Sequence, residues 1–128
     1  MDLSNGQLMD KLGLQILEAV PGRVVARIPV EGNLQPYGLL HGGATAALCE
    51  TVGSVGAAIM AGEERFTVGI ELSVHHIRAV REGFVTAAGE AIHAGSSIAV
   101  WDIRVRDDED RLVAVGRLTL AVRERPPG

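Results

Sequence analysis

Between Gly42 and Gly62 the chain reads GGATAALCETVGSVGAAIMAG, and Glu50 is the one charged side chain in that run. A stretch so long and so apolar predicts a helix buried around most of its circumference, inside either a core or a membrane. Its many glycines and alanines, with Thr45, Thr51 and Ser54, suit a core helix better than a span. A carboxylate inside such a helix costs several kcal/mol unless it is hydrogen-bonded or has chemistry to perform. Glu50 is therefore expected to be buried and to mark a site.

The flanking sequence predicts one sheet to enclose that helix. Ser4 and Asn5 can cap a short first helix through about Leu12, with Gly13 ending it. Gln15 to Ala19 and Arg23 to Val30 flank the turn dipeptide Pro21-Gly22, and Val24, Ala26, Ile28 and Val30 alternate onto one face. Residues 31–40, with Gly32, Asn33, Pro36 and Gly38, form a loop into the long helix. Phe66 to Val80 then reads as a long strand with Val68, Ile70, Leu72, Val74 and His76 on one side. Glu82-Gly83 turns it into Phe84 to His93, Gly95-Ser96 leads to Ile98 to Arg106, and the acidic tip Asp107 to Asp110 leads to Leu112 to Arg123. The expected class is α+β, a single domain over residues 1–128 in which a curved antiparallel sheet wraps one central helix. Ala44, Ala46, Ala47, Gly53, Gly56, Ala57 and Ala58 would let the backbones approach closely. The tail 125–128 reads as end material.

Composition removes several function classes. Twelve basic residues against 16 acidic ones give a net charge of −4, which lacks the basic footprint of a nucleic-acid binder. Cys49 is the one cysteine, so no intrachain disulfide forms, in keeping with a reducing compartment. The first residues hold no basic segment followed by an apolar block, and the expectation is a cytoplasmic protein without a membrane anchor.

His41-Gly42-Gly43 stands at the predicted helix start, where free backbone N–H groups and the positive end of the helix dipole form an oxyanion hole. The same glycines serve equally as a tight turn into the helix. Glu50 lies nine residues after His41, about 900° around and about 13 Å along the helix, on the opposite side. The two cannot serve one site within one chain. Convergence needs a second, antiparallel copy of the helix, hence a two-fold dimer with shared sites. Ser54, one turn beyond Glu50, either orients the carboxylate or bonds back to its own helix, and Gln35 offers an amide to substrate or to the helix entry. Cys49 reads as a small buried hydrophobe. His41, His75, His76 and His93 have no metal-ligand spacing, so no metal is expected. The glycines lack the Lys-Ser/Thr of a phosphate loop, and no Gly-x-Ser-x-Gly elbow is present.

The segment Gln35-Pro36-Tyr37-Gly38-Leu39-Leu40-His41-Gly42-Gly43, followed by Glu50 and Ser54, resembles the hotdog-fold acyl-CoA thioesterases. The similarity is greatest to the glutamate-using 4-hydroxybenzoyl-CoA, enterobactin-proofreading and dihydroxynaphthoyl-CoA branch. It runs from about Val30 to Val122 and takes in Val68-Gly69, His75-His76-Ile77-Arg78 and Val100-Trp101. The resemblance implies a hotdog fold, a dimer with a continuous sheet, and usually a homotetramer made of two dimers. It implies that the Gly42 amide polarises the thioester carbonyl while His41 and Gln35 hold the thioester. Glu50 of the partner would act as nucleophile or general base, assisted by Ser54. Arg78, Arg81, Ser96 and Ser97 would meet the phosphates and nucleotide of coenzyme A, which enters as part of an acyl-CoA substrate and not as a separate cofactor. Two rivals share the fold: a hydroxyacyl dehydratase, and a noncatalytic acyl-CoA-binding protein.

Overall fold

The computed structural model describes residues 6–126. The caps expected at Ser4 and Asn5, and the last two residues of the expected tail, lie outside that range. Helix α1 (Gln7–Leu12) ends at Gly13 in the left-handed conformation, φ 71°. Strands β1 (Gln15–Val20) and β2 (Arg23–Pro29) follow, then α2 (Gly42–Ala61), β3 (Arg65–His76), β4 (Phe84–Ala94), β5 (Ile98–Asp107) and β6 (Leu112–Glu124). The six strands form one antiparallel sheet in the order β1-β2-β4-β5-β6-β3, and all six pack against α2. This is the hotdog architecture that the resemblance implies.

Close approach between sheet and helix depends on the small residues of α2. A Cβ on Gly53 would lie 2.6 Å from Leu118 Cδ2, and one on Gly56 would overlap the ring of Trp101, which is 0% exposed. Around this contact the core is Val24, Ala26 and Ile28 of β2, Leu48 and Val52 of α2, Ile103 and Val105 of β5, and Leu118 and Leu120 of β6. The alternation read for β2 is the observed burial. The face expected to join Leu112, Ala114, Gly116, Leu118, Leu120 and Val122 of β6 is buried from Ala114 onward, while Leu112 is only half-buried because a register shift at Arg106 puts Val113 in the core. Gly56→Ala is expected to destabilise the fold by about 1–3 kcal/mol, the usual cost of overpacking, because a rigid indole cannot yield. Thermal unfolding measures it, and an unchanged midpoint would contradict the packing described.

The structure departs from the sequence reading at β3. Strand β3 and strand β4 do not form a hairpin: β3 pairs with β6 at the sheet edge, while β4 pairs with β2. The strand also stops at His76 instead of continuing to Val80. There the N–H groups of Ile77 and Arg78 both donate to the Val113 carbonyl, which turns the chain out of the ladder. Residues 77–83 then cross the mouth of the sheet, tied by Leu40 N–H to Val80 O (2.8 Å) and Val30 N–H to Gly83 O (2.9 Å). A register shift between Gly69 and Glu71 breaks the expected alternation. Leu72 and Val74 pack against the core, whereas Val68 and Ile70 are 50% and 58% exposed.

A second departure concerns the tail. Arg125 is not loose end material, since its N–H donates to Glu64 O at 3.1 Å and ties the end of β6 to the turn after α2.

Candidate active site

At the start of α2 the capping pattern leaves one amide open. Of the first four N–H groups, Gly43 donates to His41 Nδ1 at 2.7 Å, and Ala44 and Thr45 donate to the His41 carbonyl at 3.0 and 3.3 Å. Among the described residues the Gly42 N–H has no partner. A helix end normally leaves four such donors to be satisfied from outside, and here the N-cap residue satisfies three. What remains is a single unpaired donor at the positive end of a 20-residue helix.

His41 is therefore a helix-entry residue as well as a candidate site residue. Because Nδ1 accepts, the neutral ring carries its proton on Nε2 and turns that donor outward. Gln35 shares the cleft with Gly42, Leu39, Leu40, Thr45, His76, Arg78 and Val80, a cavity of about 300 Å³. Its backbone and side chain also hold the loop: Gln35 N–H donates to Leu39 O at 2.7 Å, and its Oε1 accepts from Tyr37 N–H.

His76 is the residue in this cleft that sequence reasoning set aside. A Cβ on Gly42 would lie 3.1 Å from His76 Nε2, so the imidazole packs against the α-carbon of Gly42. The His75-His76 doublet lacks metal-ligand spacing, and nothing local in the sequence places His76 beside the helix start. Its place comes from the β3–β6 register, in which His76 is the last paired residue of β3, opposite Ala114.

Glu50 lies elsewhere. In the single chain it is exposed, contrary to the expectation of a buried carboxylate, and among the described residues it makes no hydrogen bond or ion pair. Its Oε2 sits over Gly69 of β3, 2.7 Å from where a Cβ would be, on the side of the helix that faces the unpaired sheet edge. The sheet has five other strands to cover α2, and its free edge leaves this face of the helix open.

Glu50 and Ser54 line a second cleft of about 980 Å³, with Thr51, Val55, Ala58 and Ile59 of α2, Phe66 and Thr67 of β3, and Arg65 and Arg125 at one end. Ser54 makes no hydrogen bond to Glu50, and it is Thr51 whose hydroxyl bonds back to its own helix, at Ala47 O, 2.8 Å. The apolar residues here were missed by the sequence reading, although Val55 and Ile59 stand one turn apart on a face with Thr51 and Ala58. Cys49 is buried away from this cleft against Gly116, and burial pushes its thiol up to about 12, which keeps it protonated and inert.

The four coenzyme-A candidates do not meet in one chain. Arg78 and Arg81 line a charged cleft of about 500 Å³ at the N-terminal end of α2, beside Arg111 and the acidic tip of the β5–β6 hairpin. Ser96 lies with Met60 and Ala61 at the other end of the helix, and Ser97 gives its carbonyl to Arg123 Nη1 at 3.0 Å. A 20-residue helix separates the ends by roughly 30 Å.

The helix mouth carries one open amide, a separate cleft holds Glu50 among apolar side chains, six strands wrap one helix, and residues 37–114 match the pattern described as Thioesterase superfamily. The chain belongs to that superfamily. Among its relatives, the 1,4-dihydroxy-2-naphthoyl-CoA hydrolase of Listeria monocytogenes is 34% identical over 92% of this chain and 97% of its own length. The crystal structure of a Haemophilus influenzae thioesterase superposes with a TM-score of 0.89 at 38% identity, covering 94% of this chain and 85% of that one. A Staphylococcus aureus thioesterase, solved as glutamine-to-alanine and glutamate-to-alanine variants, gives TM-scores of 0.88 and 0.89 at 36% and 37% identity. It covers 92% and 93% of this chain and 99% and 100% of its own. This superfamily member is an enzyme, a thioester hydrolase with the hotdog fold.

Proposed function

We propose that the protein hydrolyses an acyl-CoA, with an aromatic or medium-chain acyl group, to the free acid and CoA at two sites shared across a two-fold dimer. The single observation that carries this reading is the separation of the two halves of the machinery. The open Gly42 amide and the Glu50 carboxylate line different clefts of one chain, about 12 Å apart along the helix. An antiparallel partner brings each opposite the other. The free edge of β3, with Phe66, Val68 and Ile70 exposed beside Glu50, is the surface on which a second copy can extend the sheet. Two further facts agree: the relative named for a naphthoyl-CoA substrate, and the S. aureus variants, whose substituted glutamine and glutamate stand 15 positions apart, as Gln35 and Glu50 do.

At such a site the thioester oxygen accepts from the Gly42 N–H, with the outward Nε2–H of His41 and the amide of Gln35 positioning the ester. As attack begins, negative charge grows on that oxygen, and a fixed donor in a water-poor cleft stabilises it more than water would. From the opposite face the partner's Glu50 supplies the nucleophilic oxygen or takes the proton from an attacking water, and Ser54 stands one turn away to orient it. The CoA thiolate then leaves, giving the free acid directly when water is the nucleophile, or a mixed anhydride on Glu50 that water hydrolyses to the free acid and the regenerated carboxylate. Arg78, which lines both the amide cleft and the charged cleft beside it, and Arg81 in the charged cleft meet the phosphates of CoA, with Ser96 and Ser97 contributed from another protomer of a dimer of dimers. The setting is the cytoplasm, and the reaction needs no metal or separate cofactor.

The test is thiol release from acetyl-, octanoyl- and benzoyl-CoA followed with a thiol reagent. Release from at least one is expected. Tight binding without release would favour a noncatalytic acyl-CoA-binding protein, and loss of water from a 3-hydroxyacyl-CoA would favour a dehydratase.

A further inference from the structure

The loop ahead of α2 is an ordered arch with an aromatic ring at its apex. Leu34 and Leu40 form a bridge across its base, Gly38 N–H donates to Gln35 O at 3.0 Å, and His41 N–H donates to Asn33 O at 2.9 Å. The Asn33 side chain pins the base by donating to Leu12 O at 2.9 Å and to Pro29 O at 2.8 Å. At the apex Tyr37 is 85% exposed, more than any other large hydrophobic side chain among the described residues. A rigid arch that holds an aromatic ring in water adds nothing to the stability of one chain. It makes sense where another surface covers the ring.

The geometry of the shared site supplies that surface. Where Gly42 stands opposite the partner's Glu50, the two helices run antiparallel, so residues before Gly42 lie over residues after the partner's Glu50. The arch enters α2 at that end, which brings its apex toward the stretch that follows the partner's Glu50. That stretch lines the 980 Å³ cleft with Val55, Ala58, Ile59 and Phe66, open on one side in the single chain. We propose that Tyr37 is a specificity-determining residue: it closes the partner's apolar cleft and forms, opposite Phe66 and Ile59, the wall against which an aromatic acyl group packs. This rests on the shared-site reading. An acetyl group ends before it reaches the ring, whereas a benzoyl group lies against it.

The test compares benzoyl-CoA with acetyl-CoA. Tyr37→Ala is expected to lower kcat/KM for benzoyl-CoA about tenfold while leaving acetyl-CoA within about twofold, and Tyr37→Phe to retain both, as loss of an aromatic contact predicts. An equal fall on both substrates would mean that Tyr37 holds the arch and does not sense the acyl group, and no change on either would also overturn the proposal. A heterodimer of the wild-type chain with a Glu50→Ala, Tyr37→Ala chain, isolated with two tags, assigns the ring to its protomer. Its one live site joins the wild-type Glu50 to the substituted arch and should lose the benzoyl preference. Retention of that preference would refute the inference. Failure of the underlying reading shows separately, in wild-type enzyme that releases thiol from none of acetyl-, octanoyl- and benzoyl-CoA. Release from octanoyl-CoA but not benzoyl-CoA would overturn the aromatic wall alone.

Discussion

Glu50→Ala is expected to lower kcat by roughly 10²–10⁴, the usual contribution of a positioned general base or nucleophilic carboxylate, and to leave the fold and its melting temperature almost unchanged. The second half of that expectation follows from the single chain. Glu50 is exposed there and holds no hydrogen bond or ion pair among the described residues, so its removal leaves no orphaned partner and no core cavity. Stopped-flow thiol release and thermal unfolding on the same preparation check both halves. Full activity in the variant would remove the carboxylate from the chemistry. A large fall in melting temperature would mean that Glu50 is a structural group at an interface.

The open amide can be deleted with little disturbance to the helix. Gly42 is the first residue of α2, a position that tolerates proline because its N–H has no intrahelical partner. His41, with φ −64° and ψ 128°, already has the extended conformation that a residue before proline requires. Gly42→Pro should therefore keep the helix while removing the donor, costing roughly 2.7–4 kcal/mol in the transition state, a hundredfold to a thousandfold in kcat. The new ring also crowds His76, and Gly42→Ala is the control for crowding, since a Cβ there lies 3.1 Å from His76 Nε2 and a small shift relieves it. If Gly42→Ala fell as far as Gly42→Pro, steric exclusion and not the N–H would be responsible.

The two variants also test the division of labour between chains. An exchanged mixture of Glu50→Ala and Gly42→Pro subunits should recover about a quarter of wild-type activity, because half the dimers are mixed and each mixed dimer has one intact site. No recovery after demonstrated exchange would place both groups in the same chain's site.

Much of this was legible in the chain. The helix from Gly42, the alternation of β2 and β6 and the small residues facing Trp101 and Leu118 follow from periodicity and volume, which are local properties. So was the opposition of His41 and Glu50, because nine residues of helix leave no freedom. The register shift in β3, the partner of that strand and the place of His76 were not legible, since strand pairing joins residues far apart in sequence and a one-residue slip reverses every side chain. Burial of Glu50 was inferred from its apolar neighbours, but α2 is covered on the faces that the sheet reaches, and the free edge of β3 leaves the Glu50 face bare.

By itself the sequence determined one apolar helix with a glycine-rich entry, strands enough to wrap it, and two candidate site groups held apart by helix geometry. Tertiary structure decided which amide stays open, because His41 caps the other three, and that β3 ends the sheet at one edge. It also decided that the carboxylate faces that free edge. The physical reason is range: helix phase and turn chemistry act within a few residues, whereas hydrogen-bond satisfaction and sheet closure are properties of the whole folded chain.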